Sequence, residues 1–160
     1  LIDRIDNEDL GKTVRPFLKG RGADPEPAFL SRFVELYRER VHLYTEFYEQ
    51  GYYFFEPVRE YDQKMLRKKW KADTRETLQP LLKDLDNLVS FDAEQVEGCV
   101  KEFMEREGLG FGKVLPFLRL GLSGTTKGPG VFEMMALMGK ELVVERLDQA
   151  WQQFDEISKQ

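Results

Sequence analysis

Apolar residues recur at three- and four-residue spacing along most of the chain, the period of a helix with one wet and one dry face. Between positions 24 and 41 the dry face is Phe29, Leu30, Phe33, Val34, Leu36, Tyr37 and Val41. Asp24-Pro25 predicts the start of that helix, since Asp caps exposed amides and Pro is tolerated at the first helical position. The pattern carries on through ERVHLYTEF. Asp73 with Glu76 predicts a capping box opening TRETLQPLLKDLDNL, and Asp92 with Gln95 a second, with Phe91 placed to staple onto Val96. Gly108 is a natural stop for the second of these helices. Two apolar helices, 112–122 and 131–138, flank the turn SGTTKGPG; Gly139 then breaks the pattern. A last amphipathic helix from Lys140 to about Ile157 carries Leu142, Val143, Leu147, Trp151 and Phe154. Pro16, Pro80 and Pro116 fall inside helical patterns and predict kinks or breaks. Strand-like alternation is nearly absent, and GYYFFEPV (Gly51 to Val58) reads as a buried aromatic linker sooner than an extended segment. The expectation is an all-α protein with a subdomain seam near Ser90-Phe91, dividing it into 1–90 and 91–160.

Composition narrows the function classes. At 160 residues, 41% hydrophobic and 33% charged, the chain has the make-up of a globular protein with a real core. No apolar run approaches the roughly 18–20 residues of a membrane span, and no signal segment opens the chain, so a cytoplasmic protein with no membrane partner is expected. The chain opens on Leu1 and an acidic, polar stretch, which sets the expectation of a piece of a longer protein. A single cysteine, Cys99, excludes an internal disulfide framework and a cysteine-rich zinc site. A single histidine, His42, leaves nucleophilic triads poorly supplied, and it reads as a helix residue with a hydrogen-bond partner. The net charge of −5 argues against non-specific coating of nucleic acid, but a localised basic face remains open.

The turn SGTTKGPG holds the residue types that cradle phosphates, in the wrong order. A phosphate loop runs G-x-x-x-x-G-K-[ST] after a strand. Here Thr125-Thr126 precede Lys127, Gly128 follows it, and no strand leads in. The densest basic run is KMLRKKWK, Lys64 to Lys71, read either as a solvated helix face or as a contact to an RNA backbone. It is similar to the K-M-S-K-S loop of class I aminoacyl-tRNA synthetases only in part, since Leu66 and Arg67 stand where that loop has Ser and Lys. Acidic pairs such as Glu35 and Glu39 read as surface charge, and Met134, Met135 and Met138 as core. Arg119 interrupts the apolar LPFLRLGL and must reach solvent, an internal carboxylate or a base edge. Arg40 ends the polar face of ELYRERVHLYTEF. A structural ion pair is the default for both, although the planar guanidinium fork is suited to base edges.

The run LPFLRLGLSGTTKGPGVFEMMALMGKELVVERLDQA closely resembles the C-terminal end of bacterial glutamyl-tRNA synthetases. Pro116, Arg119, Leu122, Gly124, Pro129, Phe132, Glu133, Gly139, Lys140, Glu141, Arg146 and Leu147 stand at matching places. VRPFLKGRG, FLSRFVELYRERVHLYTEF and YYFFEPVREYDQKMLRKKW are similar to the preceding helical region, so the likeness covers essentially the whole chain. It implies two helical anticodon-binding subdomains, an α-helix cage, with the catalytic half of the same chain absent. No H-I-G-H-like signature is present, so this stretch holds no catalytic residue, metal or cofactor of its own. The parent implied is a monomer that joins glutamate to its tRNA with ATP and Mg²⁺. The same resemblance makes Arg119 an anticodon-reading arginine and places Gly128, Pro129 and Val131 around the base pocket. Val131 stands where many members have Leu. Arg40 matches the arginine that reads the third anticodon letter in members that separate glutamate from glutamine tRNA. Lys64, Arg67, Lys68, Lys71 and Lys127 are backbone-contact candidates. The rival reading is a helical protein–protein module with no RNA role.

Overall fold

Asp6 caps the first regular helix, its carboxylate accepting the Asp9 amide at 2.9 Å. The computed structural model describes residues 2–159, and every regular element among them is helical. The chain divides into two compact units, Leu1–Pro57 and Val58–Gln160. The turn at Ser90-Phe91, where the sequence suggested a seam, lies inside the second unit, between two helices that pack on each other.

In the first unit, α1 (Asn7–Lys19) buries Leu10, Val14 and Leu18, and α2 (Pro27–Tyr37) packs on it with Leu30, Phe33, Val34 and Tyr37. α2 starts at Pro27, not at Asp24-Pro25. Asp24 is taken by Arg15 at 2.5 Å, and Arg15 also donates to the Pro25 carbonyl at 2.8 Å, so the loop is stapled to α1 before α2 begins. Periodicity suggested that α2 would run on past Val41. It stops at Tyr37, gives way to a 3-10 turn at Arg38–Arg40, and Val41 is extended. Tertiary bonds override the helical pattern here. The Arg38 guanidinium donates to Asn7 Oδ1 at 2.7 Å and to the carbonyls of Ile2 and Ile5. His42 is therefore a loop residue, exposed, with its amide on the Glu46 carboxylate.

α3 (Glu46–Gly51) and a 3-10 turn at Tyr52–Phe54 close the unit. The aromatic stretch buries Tyr53 and Phe54, as the sequence suggested, and is wound into a turn instead of being extended. Phe33 meets Phe54 and Phe55 edge-on at 5.6 and 5.2 Å, and the buried Tyr37 and Tyr53 hydroxyls bond each other. Gly51 admits this packing, because a β-carbon there would lie 2.6 Å from Phe33 Cε1.

In the second unit, α9 (Lys140–Ser158) is the axis on which α4 (Gln63–Lys69), α5 (Thr74–Asp86), α7 (Leu115–Ser123) and α8 (Val131–Met138) pack. α6 (Ala93–Glu107) lies against α5 and α8. Trp151 is fully buried and satisfies its indole N–H on the Phe117 carbonyl at 3.2 Å. The Asp92 carboxylate caps α6 on the Gln95 amide at 2.8 Å, and the helix stops at Gly108 in the left-handed conformation, both as the sequence suggested. The box expected at Asp73 does not form. Its backbone is already helical (φ −101°, ψ 0°), so its side chain makes no cap, and the Thr74 hydroxyl accepts the Lys71 amide instead. α1 and α5 continue through Pro16 and Pro80, both on exposed positions, whereas Pro116 falls in the first turn of α7, where no amide is missed.

Candidate nucleic-acid interface

α7 ends in a sequence of locks that shape the glycine-rich turn. The Ser123 hydroxyl turns back to the Arg119 carbonyl at 2.8 Å, and Gly124, at φ +83°, returns its amide to the Leu120 carbonyl at 2.8 Å. A β-carbon on Gly124 would strike the Glu60 carbonyl and come within 2.9 Å of Val58 Cγ1. The Asp62 amide donates to the Gly124 carbonyl at 2.9 Å, while the Asp62 carboxylate caps α4 on the Met65 amide at 3.0 Å. One residue thus ties the turn to the basic helix. Its signal in the sequence, an Asp before QKML, was readable as a cap; its bond to Gly124 was not.

Beyond Gly124 the Thr125 hydroxyl donates to the Lys127 carbonyl at 2.7 Å, and Lys127 itself is exposed. The Arg119 guanidinium, half-buried, reaches across the turn. Its Nη1 stands 3.7 Å from Met134 Sδ, and a β-carbon on Gly128 would lie 2.8 Å from it. Arg119 and Gly128 are therefore in one place. Pro129 and Val131 are buried behind them, Val131 as the first residue of α8. The Glu133 carboxylate folds back over Gly130 at the start of α8 without capping its amides. A phosphate approaching the start of α8 would come up against that negative charge, and the turn is a helix-to-helix corner and not a phosphate loop.

α4 presents the basic run. Leu66 and Trp70 are buried, with the Trp70 indole N–H on Asp155 at 2.9 Å and its ring edge-on to Phe117 and Phe154 at 5.0 and 5.1 Å. That anchorage leaves Lys64, Arg67 and Lys68 exposed on the other side. Lys71 is also exposed, and its ammonium bonds the Lys68 carbonyl at 3.0 Å at the end of the helix. Three cations in the last turn also suit the helix dipole.

In the first unit Arg40 is exposed at the end of its 3-10 turn, two residues after the Arg38 clamp. Sequence reasoning placed it on a helix face; the structure places it at the entrance of an ordered loop. Among the described residues no three His, Cys, Asp or Glu side chains gather to hold a metal ion, and no helix is long and apolar enough to cross a membrane. Cys99 lies half-buried on α6, where burial first, then Asp84 and Glu102, against an opposing Arg106, push its thiol up to about 11.

Comparison with known proteins agrees with this architecture. Residues 9–151 match the family described as anticodon binding domain. The glutamate–tRNA ligase of Porphyromonas gingivalis is 36% identical over 149 residues, 93% of this chain and 30% of the relative. That of Flavobacterium johnsoniae is 34% identical, over 89% of this chain and 28% of the relative. A crystal structure of a glutamate tRNA ligase from Elizabethkingia meningosepticum superposes with a TM-score of 0.88 at 28% identity, covering 94% of this chain and 30% of that one. The chain spans about 30% of the length of the curated relatives it matches. By these matches and by its all-helical architecture, the chain belongs to the anticodon-binding domain family, in the form that bacterial glutamate–tRNA ligases carry.

Proposed function

We propose that this chain reads the anticodon of glutamate tRNA for a monomeric, cytoplasmic glutamate–tRNA ligase whose catalytic half lies elsewhere in the same polypeptide. That half would use ATP and Mg²⁺ to activate glutamate. The turn described above does not fit a triphosphate, since the Glu133 carboxylate lies over Gly130 at the start of α8. The family membership supports RNA binding, and the names of the relatives support the choice of tRNA.

RNA sequence is read mostly on unstacked, single-stranded bases, stacked on flat side chains and hydrogen-bonded at their edges. The observation that carries the reading is the Arg119 guanidinium laid against Gly128, where a hydrogen is all that fits. Planar donors there are fixed before any base arrives, and a base entering beside Pro129 and Val131 meets an apolar wall with one polar fork. Arg40 takes the third letter, a cytosine in the glutamate anticodon, whose edge offers adjacent acceptors. Lys64, Arg67, Lys68, Lys71 and Lys127 contact phosphates, which position the RNA without reading it.

The test is Arg40→Gln and Arg119→Gln in the full-length parent, with aminoacylation of glutamate tRNA and of anticodon variants. Each loss of a bidentate contact is expected to reduce discrimination at one letter by about 1–3 kcal/mol. Unchanged preference for glutamate over glutamine tRNA with Arg40→Gln would rule out its assignment.

A further inference from the structure

α4 is fastened to α7 at both of its ends. At its start the Asp62 amide donates to the Gly124 carbonyl at 2.9 Å, one residue past the end of α7. At its far end the Trp70 ring stands edge-on to Phe117, in the first turn of α7, at 5.0 Å. Each element carries its candidate RNA contacts between the two fastenings: Lys64, Arg67 and Lys68 on α4, and Arg119 on α7. Asp62 makes the junction. Its carboxylate accepts the Met65 amide at 3.0 Å and its carbonyl the Leu66 amide at 3.1 Å, while its own amide holds Gly124. Gly124 in turn donates to the Leu120 carbonyl at 2.8 Å. A continuous line of hydrogen bonds therefore runs from the residue after Arg119, through Gly124 and Asp62, into the first turn of α4. The segment 58–62 has no regular structure of its own and is held by its contacts. The Glu60 carbonyl and Val58 leave no room for a β-carbon on Gly124, and the Tyr61 ring is edge-on to Phe154 at 5.0 Å.

Capping α4 requires only the Asp62 carboxylate. The amide bond adds nothing to that cap; it fixes the spacing between the glycine-rich turn and the cations of α4. Phosphate contacts position an RNA without reading it. Whether a bound anticodon brings a base to Arg119 then depends on that spacing, and a binding constellation works only when held to within about 0.5 Å. We propose that Asp62 is a positioning residue for anticodon reading. It touches no RNA, and its bond to Gly124 sets the distance between phosphates held on α4 and the base met by Arg119. This rests on the anticodon reading proposed above.

The experiment uses the full-length parent and compares kcat/KM for glutamate tRNA with that for transcripts altered at each anticodon letter. Asp62 has a φ of −65°, which proline adopts, so Asp62→Pro removes the amide bond without twisting the backbone. Asp62→Ala removes the carboxylate cap and keeps the amide; Asp62→Asn keeps both. Asp62→Pro is expected to lower the preference for the glutamate anticodon roughly 3- to 10-fold at the letter Arg119 reads, a fraction of what a full bidentate contact contributes. The salt slope should stay unchanged, because the same phosphates are neutralised. Asp62→Ala and Asp62→Asn are expected to keep the preference. A merely structural loss weakens every transcript alike and does not move this ratio. An unchanged preference with Asp62→Pro, or an equal drop with Asp62→Ala, overturns the proposal. Amide exchange in the unaltered protein gives a second readout that needs no variant to fold. Coupling is reciprocal, so saturating glutamate tRNA is expected to slow exchange of the Asp62 amide roughly 3-fold more than a saturating transcript altered at that letter. Equal protection overturns the positioning role. Arg119→Gln measured alongside separates the two claims. If it lowers discrimination while Asp62→Pro does not, the reading stands and the positioning role falls. If it leaves discrimination intact at every letter, the reading of a base by Arg119 falls, and the positioning role with it.

Discussion

Gly124 shows how one residue can be fixed by both conformation and space. Its φ of +83° is costly for any side chain, and a β-carbon would also collide with the Glu60 carbonyl. Gly108 has a similar φ of +66° with nothing within 4 Å. Gly108→Ala is therefore expected to destabilise the protein by roughly 1–2 kcal/mol through backbone strain alone. Gly124→Ala should cost more, about 2–4 kcal/mol, because segment 58–62 must also move. Denaturant melts of the two variants compare them directly; equal losses would mean that the contact with Glu60 carries nothing. Cys99 provides a second test at this scale. With its thiol held near 11, little thiolate exists at pH 8, so iodoacetamide should modify the folded protein roughly 100-fold more slowly than a free cysteine. The sign of the linkage follows. A raised folded-state value favours the folded protein up to the ordinary thiol range near 9, and that contribution is lost as pH rises through about 11.

At the scale of elements, α4 combines an anchored face and an offered one. Leu66 and Trp70 hold it on α9, and Asp62 ties its start to the Gly124 turn, so its cations keep a fixed relation to Arg119. Phosphate contacts release counterions. Replacing Lys64, Arg67 or Lys68 by Gln in the full-length parent is expected to weaken all tRNAs alike and to lower the slope of log affinity against log salt by about one unit per phosphate lost. A variant that instead altered the choice among anticodons would place that residue at a base. The basic run was visible in the sequence. Which of its members face outward depended on where Trp70 found a partner, and Asp155 lies 85 positions away.

At the scale of the whole molecule, the two units differ in size and in what holds them. Residues 58–160 contain both tryptophans and six helices, five of them packed around or beside α9, enough for a core of their own. Expressed alone, they are expected to keep a helical circular dichroism spectrum and a cooperative melt; a broad, non-cooperative transition would contradict this. Residues 1–57 are close to the lower size limit for independent stability, so that piece should melt at a lower temperature. The helical class, the stops at Gly108 and Gly139, the Asp92 cap and the resemblance to glutamyl-tRNA synthetases were all legible in the residues, because local period, cap chemistry and glycine conformation act over a few positions. The order SGTTKGPG already excluded a phosphate loop. What the sequence could not decide was anything set by a distant partner: the end of α2 at Tyr37, where Arg38 turns to the N-terminal segment; the unused cap at Asp73; and the break at Pro57, not near Ser90. The same holds at the site. Arg119 was singled out by its apolar neighbours, but only the tertiary structure brings Gly128 beneath its guanidinium, and only the bonds at Asp62 join that turn to α4.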